Sequence, residues 1–72
     1  MFLIVEIQTN GSQMAQICQT AETYEQAMSK YHTVLASASV SGVECHSCVV
    51  LNKEGSPIAR ESYTHGGEPE GV

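Results

Sequence analysis

The sequence predicts an α+β domain with the element order ββαββ: a four-stranded antiparallel sheet carrying one helix on one face. Three observations lead there. Asn10-Gly11 separates two extended runs, one central stretch repeats apolar residues at helical spacing, and Asn52-Lys53-Glu54-Gly55 separates two further extended runs. A fourth observation concerns assembly: both faces of the predicted sheet are partly apolar, yet a single helix is available to cover them. The expectation is a homo-oligomer formed through a sheet face or a sheet edge.

The first hairpin joins residues 2–9 to residues 12–19. Asn-Gly is a strong two-residue hairpin signal, because a type I′ turn needs positive φ at both central positions. With Asn10-Gly11 as that turn, Thr9 faces Ser12, Ile7 faces Met14, Val5 faces Gln16 and Leu3 faces Cys18. This face is mostly apolar. The opposite face pairs Glu6 with Ala15, Ile4 with Ile17 and Phe2 with Gln19, polar near the turn and apolar at the far end. A sheet covered on one side only should alternate more cleanly.

Thr23 stands three residues before Gln26, the spacing of a capping box, and Glu22 and Glu25 lie near the positive end of the helix dipole. Thr20 is the competing cap. Tyr24, Ala27, Met28, Tyr31, Val34, Leu35 and Ala38 form one apolar stripe on a helix running to about residue 39. Small residues fill 36–41 apart from Val40, and Gly42 is the expected terminator. Two strands follow, residues 43–52 and 57–65, joined by a type I turn that a left-handed Gly55 closes. In the first of them Cys45, Val49 and Leu51 point one way and Cys48 and Val50 the other. Residues 66–72 combine Gly, Pro and Glu without a period and read as a flexible tail after a single domain of residues 1–65.

Seventy-two residues make a small domain, and a chain of that order buries only about 60% of its unfolded surface. Association is one of the ways such domains gain stability. The apolar start at Phe2–Val5 is too short for a signal or membrane segment and lacks a basic flank; the expectation is a cytoplasmic protein without a membrane partner. Three basic against eight acidic residues, a formal net charge of −5, argue against direct nucleic-acid binding. Mimicry of nucleic acid by an acidic surface is the opposite possibility, but the carboxylates form no dense row.

Cys45-His46-Ser47-Cys48 has CxxC spacing, but a structural zinc site needs four ligands, and on a strand positions 45 and 48 face opposite ways. A redox motif of this type belongs at a helix N-terminus. The cysteines are therefore expected to be reduced and to pack as small hydrophobes, with no metal or cofactor. No Gly-rich phosphate loop, acidic dyad or nucleophile motif is present. A small tautomerase would be the natural oligomeric enzyme of this size, but Phe2 follows Met1 where that family has a processed N-terminal proline. The expectation is a non-enzymatic protein.

Candidate ligand contacts are few. Arg60 is one of three basic side chains and shares its strand with Tyr63 and His65; it suits either an anionic ligand or a cross-strand ion pair with Glu44 or Glu54. His46 lies on a strand and could line an interface. Lys30 is on the polar side of the helix. His32 reads as a boundary residue, and Tyr24 and Tyr31 read as core.

The opening Phe2 to Gln8, the helix Glu25-Gln26-Ala27 through Ser29-Lys30-Tyr31-His32, and the hairpin Val49 to Ala59 resemble small uncharacterised proteins encoded by phages and prophages of gut Firmicutes. The resemblance covers nearly the whole chain and brings no known catalytic residues. It implies an accessory role in the bacterial host cell, with antagonism of host antiviral defence as the leading expectation. Sequestration of a small anionic nucleotide signal between subunits is the first form of it, since symmetry would repeat Arg60 and Lys30 in every subunit. The alternatives are inhibition of a host effector protein through an exposed sheet edge or acidic surface, and a structural or regulatory oligomerisation module.

Overall fold

The first hairpin is built from β1 (Phe2–Asn10) and β2 (Gln13–Ala21), paired in register from Phe2↔Ala21 to Asn10↔Gln13. The computed structural model describes residues 1–65, and the predicted tail lies outside them. The loop is Gly11-Ser12 rather than Asn10-Gly11, because Gly11 alone adopts positive φ (65°) and Asn10 stays in the strand. That is the arrangement of a type II′ turn, which takes glycine at its first central position. The partners consequently slip by two residues: Val5 meets Cys18 and Ile7 meets Gln16. A slip of two keeps every side chain on its expected face, since strand faces alternate with period two.

The helix α1 (Tyr24–Ser39) begins at Thr23, whose Oγ1 accepts from the Gln26 N–H at 3.2 Å. Gln26 Oε1 in turn accepts from the Glu22 N–H at 3.2 Å, so the expected capping box forms one residue wide of its standard return contact. At the other end Val40, not Gly42, is the cap. Its φ is −115°, Gly42 shows no positive φ, and the final N–H groups of Val40 and Ser41 turn back to Ser37 and Ala38 in tight i−3 bonds.

β3 (Cys45–Leu51) and β4 (Pro57–Thr64) complete an antiparallel sheet of strand order β2-β1-β3-β4. Their turn follows the sequence expectation. Asn52 Oδ1 accepts from the N–H groups of Glu54 (3.0 Å) and Ser56 (2.9 Å), Gly55 N donates to Asn52 O at 2.9 Å, and Gly55 has φ 84°. A register irregularity at Val50/Leu51 absorbs the extra residue of the loop.

Register assigns the two faces. Phe2, Ile4, Glu6 and Gln8 of β1 share a face with Ala21 and Ile17 of β2, with His46, Cys48 and Val50 of β3, and with Ala59, Glu61 and Tyr63 of β4. The helix lies on this face and buries Ala27, Tyr31 and Val34 against Ile4, Cys48, Val50 and Ala21, with Ala38 buried near its C-terminal end. Burial of a side chain such as Ile4 or Val50 contributes about 1.5–3 kcal/mol, so these few residues carry much of the core. Tyr24 departs from expectation: it is 54% exposed, and its ring makes an edge contact with Phe2, centroids 6.3 Å apart. No helix among the described residues is long and apolar enough to cross a membrane.

Candidate functional site

The face away from the helix carries Leu3, Val5, Ile7 and Thr9 on β1, Cys45, Ser47, Val49 and Leu51 on β3, Met14, Gln16, Cys18 and Thr20 on β2, and Arg60, Ser62 and Thr64 on β4. Its centre is an apolar row. Leu3, Val5 and Ile7 run beside Leu51, Val49 and Ser47, all of them half-buried only by their neighbours in the sheet. Arg60 is the one charged side chain among the described residues at these register positions; the carboxylates of Glu6 and Glu61 are on the helix side, Glu25 is in the first turn of the helix, and Glu22, Glu44 and Glu54 sit in the connections. A depression on this face is bounded by Ile7, Val49, Leu51, Pro57 and Arg60. An apolar surface rimmed by polar residues is the usual form of a protein contact area.

The predicted ligand residues do not converge. Arg60 is exposed on the open face and forms no ion pair with a described residue; Glu44, its proposed partner, instead accepts from the Gly11 N–H at 2.9 Å. Tyr63 and His65 lie beside the other face, their rings stacked with centroids 6.5 Å apart, and His65 Nε2 is 2.8 Å from the carbonyl oxygen of Ala38, to which it donates in that tautomer. Lys30 Nζ donates to the carbonyl oxygen of Thr20 at 2.8 Å. His46 is 3% exposed beneath the helix, so it lines the core and not an interface.

His46 reveals a feature that sequence reasoning missed. Its Nε2 meets Glu6 Oε2, and the same oxygen accepts from Gln8 Nε2 at 3.0 Å. The pair joins β1 to β3 diagonally within the core, while His46 Nδ1 is buried with no hydrogen-bond partner. Glu6 is a carboxylate in an otherwise apolar run and His46 alternates in phase with Cys48 and Val50; those two patterns were the available signals.

Cys45 and Cys48 sit on opposite faces, one on the open side and the other buried under the helix, so they cannot chelate one ion together. Burial pushes the Cys48 thiol up to about 11, with the Glu6 carboxylate adding to the effect. It is a poor nucleophile in this position. Burial also raises the Tyr31 hydroxyl, helped by Glu61, Cys48 and Tyr63. The fold holds the Cys48 thiol protonated, so its contribution to stability is complete below pH 9.0, the ordinary thiol value, and is lost as the pH climbs through the raised value near 11. Urea midpoints measured from pH 8 to 11 should fall across this window, and less steeply in Cys48→Ala; equal slopes would show that Cys48 does not ionise on unfolding. Comparison with known proteins returns no matching family model, no matching curated protein and no matching solved structure.

Proposed function

We propose that this chain is a non-enzymatic binding protein that works as a homo-oligomer, its subunits meeting through the helix-free face of the sheet. The observation that carries the reading is the apolar row of Leu3, Val5, Ile7, Val49 and Leu51 on a face no element of the described chain covers. A second copy is the occupant that the charge distribution favours. The chain is strongly acidic, and on this face, where Arg60 is the one charged side chain among the described residues, two copies would meet without opposing carboxylates.

The phage-type resemblance supplies the proposed setting, antagonism of a host defence pathway, and the assembled surface supplies the means. Nucleotide sequestration draws on a single side chain, Arg60, because Lys30, Tyr63, His65 and His46 lie away from the open face. Blocking a host effector through the assembled surface therefore has the stronger physical support.

Sedimentation equilibrium of the full chain and of Val5→Glu tests the reading. Val5 sits in the middle of the row, between Cys18 and Val49. A carboxylate buried there without a partner costs about 3 kcal/mol or more, so Val5→Glu should weaken the face contact by about 100-fold or more and yield a smaller species with an unchanged far-UV spectrum. Equal masses for the two proteins would overturn association through this face.

A further inference from the structure

The two edges of the sheet differ in a way that identifies a second contact. β4 carries the usual protections of a free edge: it opens on Pro57, presents Arg60 and Glu61, and pairs with β3 through an irregular register. β2 carries none of these in its own sequence, and its one guard is Lys30, whose ammonium donates to the Thr20 carbonyl oxygen near one end at 2.8 Å. Gln13–Ala21 reads QMAQICQTA, nine residues without a charge, a proline or a glycine. From Gln13 to Cys18 it is also exposed on both faces, while Gln19 is half-buried and Ala21 buried on the helix side. Met14 is 74% exposed on the open side, and Ile17 is 48% exposed on the helix side because the helix body packs chiefly over β1 and β3. A long edge strand with no charge, proline or glycine of its own is a template for another strand, and the Thr20 oxygen that Lys30 occupies keeps a second lone pair for a strand N–H.

We propose that two copies pair β2 against β2 in antiparallel fashion about a two-fold axis at Ile17, giving one continuous sheet of double width. The hairpin fixes the hydrogen-bonding phase. A two-residue loop closes on Asn10 and Gln13, so those residues exchange backbone bonds and so do the alternate pairs Gln8–Ala15, Glu6–Ile17 and Ile4–Gln19. The N–H and C=O groups of Met14, Gln16, Cys18 and Thr20 consequently point outward. Lys30 agrees with this phase, since its ammonium reaches the Thr20 carbonyl oxygen from outside the β1–β2 ladder.

Ile17 is the midpoint of the strand, so an axis there overlaps its full length. Gln16 of each copy exchanges both backbone bonds with Cys18 of the other, and Met14 lies opposite Thr20. Ile17 faces its own mate at a non-hydrogen-bonded position, where side chains approach most closely. The exposed isoleucines then bury each other, and no charged side chain opposes another across the ladder. Any copy supplies the same strand, which makes the contact isologous and closed. A foreign strand would also satisfy the backbone, but the match of Ile17 to itself at the centre favours a second copy. The pairing also sets two helix-free faces side by side in one surface.

Disulfide trapping in the full chain tests the register. In a Cys18→Ser/Cys45→Ser background, Ile17→Cys should cross-link to a covalent dimer under mild oxidation, while Ala15→Cys, which faces Gln19 of the other copy, should not. Sedimentation separates this inference from the face contact proposed above. Edge pairing predicts that Val5→Glu is a dimer and that Val5→Glu/Ile17→Lys is a monomer with the same far-UV spectrum. A monomeric Val5→Glu protein with no Ile17→Cys cross-link overturns the edge pairing and leaves the face contact standing. A cross-linked dimer whose mass Val5→Glu does not alter supports the edge pairing and removes the face contact. Equal cross-linking of Ile17→Cys and Ala15→Cys overturns the register.

Discussion

Ile4→Ala should destabilise the fold by about 3 kcal/mol, within the range found when a buried aliphatic side chain is cut back to alanine. Ile4 is 1% exposed, and across the ladder from it on β3 stands Val50, with no exposed surface at all. Tyr31, Val34 and Ala27 close the site from the helix. β1 is held by a strand on each side, so its backbone cannot move in to fill the space that the substitution leaves. A small domain has a total stability on the order of 5 kcal/mol, and the loss would bring the variant close to its unfolding midpoint at warm temperature. Ile17→Ala supplies the contrast. It removes the same atoms from a half-exposed site on β2, and in the monomer it should cost under about 1 kcal/mol. Urea titrations followed by circular dichroism read both, with a lowered midpoint and an unchanged slope for Ile4→Ala. Equal shifts for the two variants would mean that the helix is not packed over β1 as described.

The same two isoleucines show how far the sequence could be read. Element order, helix start and face assignment were legible because each rests on local signals: a turn dipeptide, a cap, and a period of two or 3.6. The first turn moved by one residue, from Asn10-Gly11 to Gly11-Ser12, because glycine alone took positive φ; the faces survived because the pairing slipped by an even number. Strand order was not legible. The β1–β3 pairing joins residues some forty positions apart, as in Gln8↔His46 and Leu3↔Leu51, and no local signal encodes it. That order decides which isoleucine is core, since it makes β1 central and leaves β2 at an edge. Candidate site residues fared worse. Arg60 and Tyr63 lie on opposite faces of one strand, as period-two alternation already implies, whereas His46 was buried by a helix whose placement only the whole sheet determines.

The Glu6–His46 pair should show the strongest non-additivity in the molecule. Its side chains are 14% and 4% exposed, and Glu6 Oε2 is shared by the His46 ring and the Gln8 amide. Glu6→Ala leaves a buried imidazole with neither nitrogen bonded to a described group, because Nδ1 is already without a partner. His46→Ala leaves the Glu6 carboxylate with Gln8 alone. Each single change should cost about 2–4 kcal/mol, the scale for a buried polar group stripped of its partner. The double variant Glu6→Leu/His46→Leu should return to within about 1 kcal/mol of the parent, because apolar groups of similar volume need no hydrogen bonds at that position. Additive losses in a urea-based double-mutant cycle closed with the single variants Glu6→Leu and His46→Leu would show that the pair is not an energetic unit. The two residues also bridge β1 and β3, the strands that present Leu3, Val5 and Ile7 beside Val49 and Leu51 on the other face. A slip of one residue between those strands would turn this apolar row inward and the core outward. If the polar pair fixes the register, the doubly substituted protein should keep its stability but lose its single defined oligomer, and native mass spectrometry would register a spread of masses where the parent gives one.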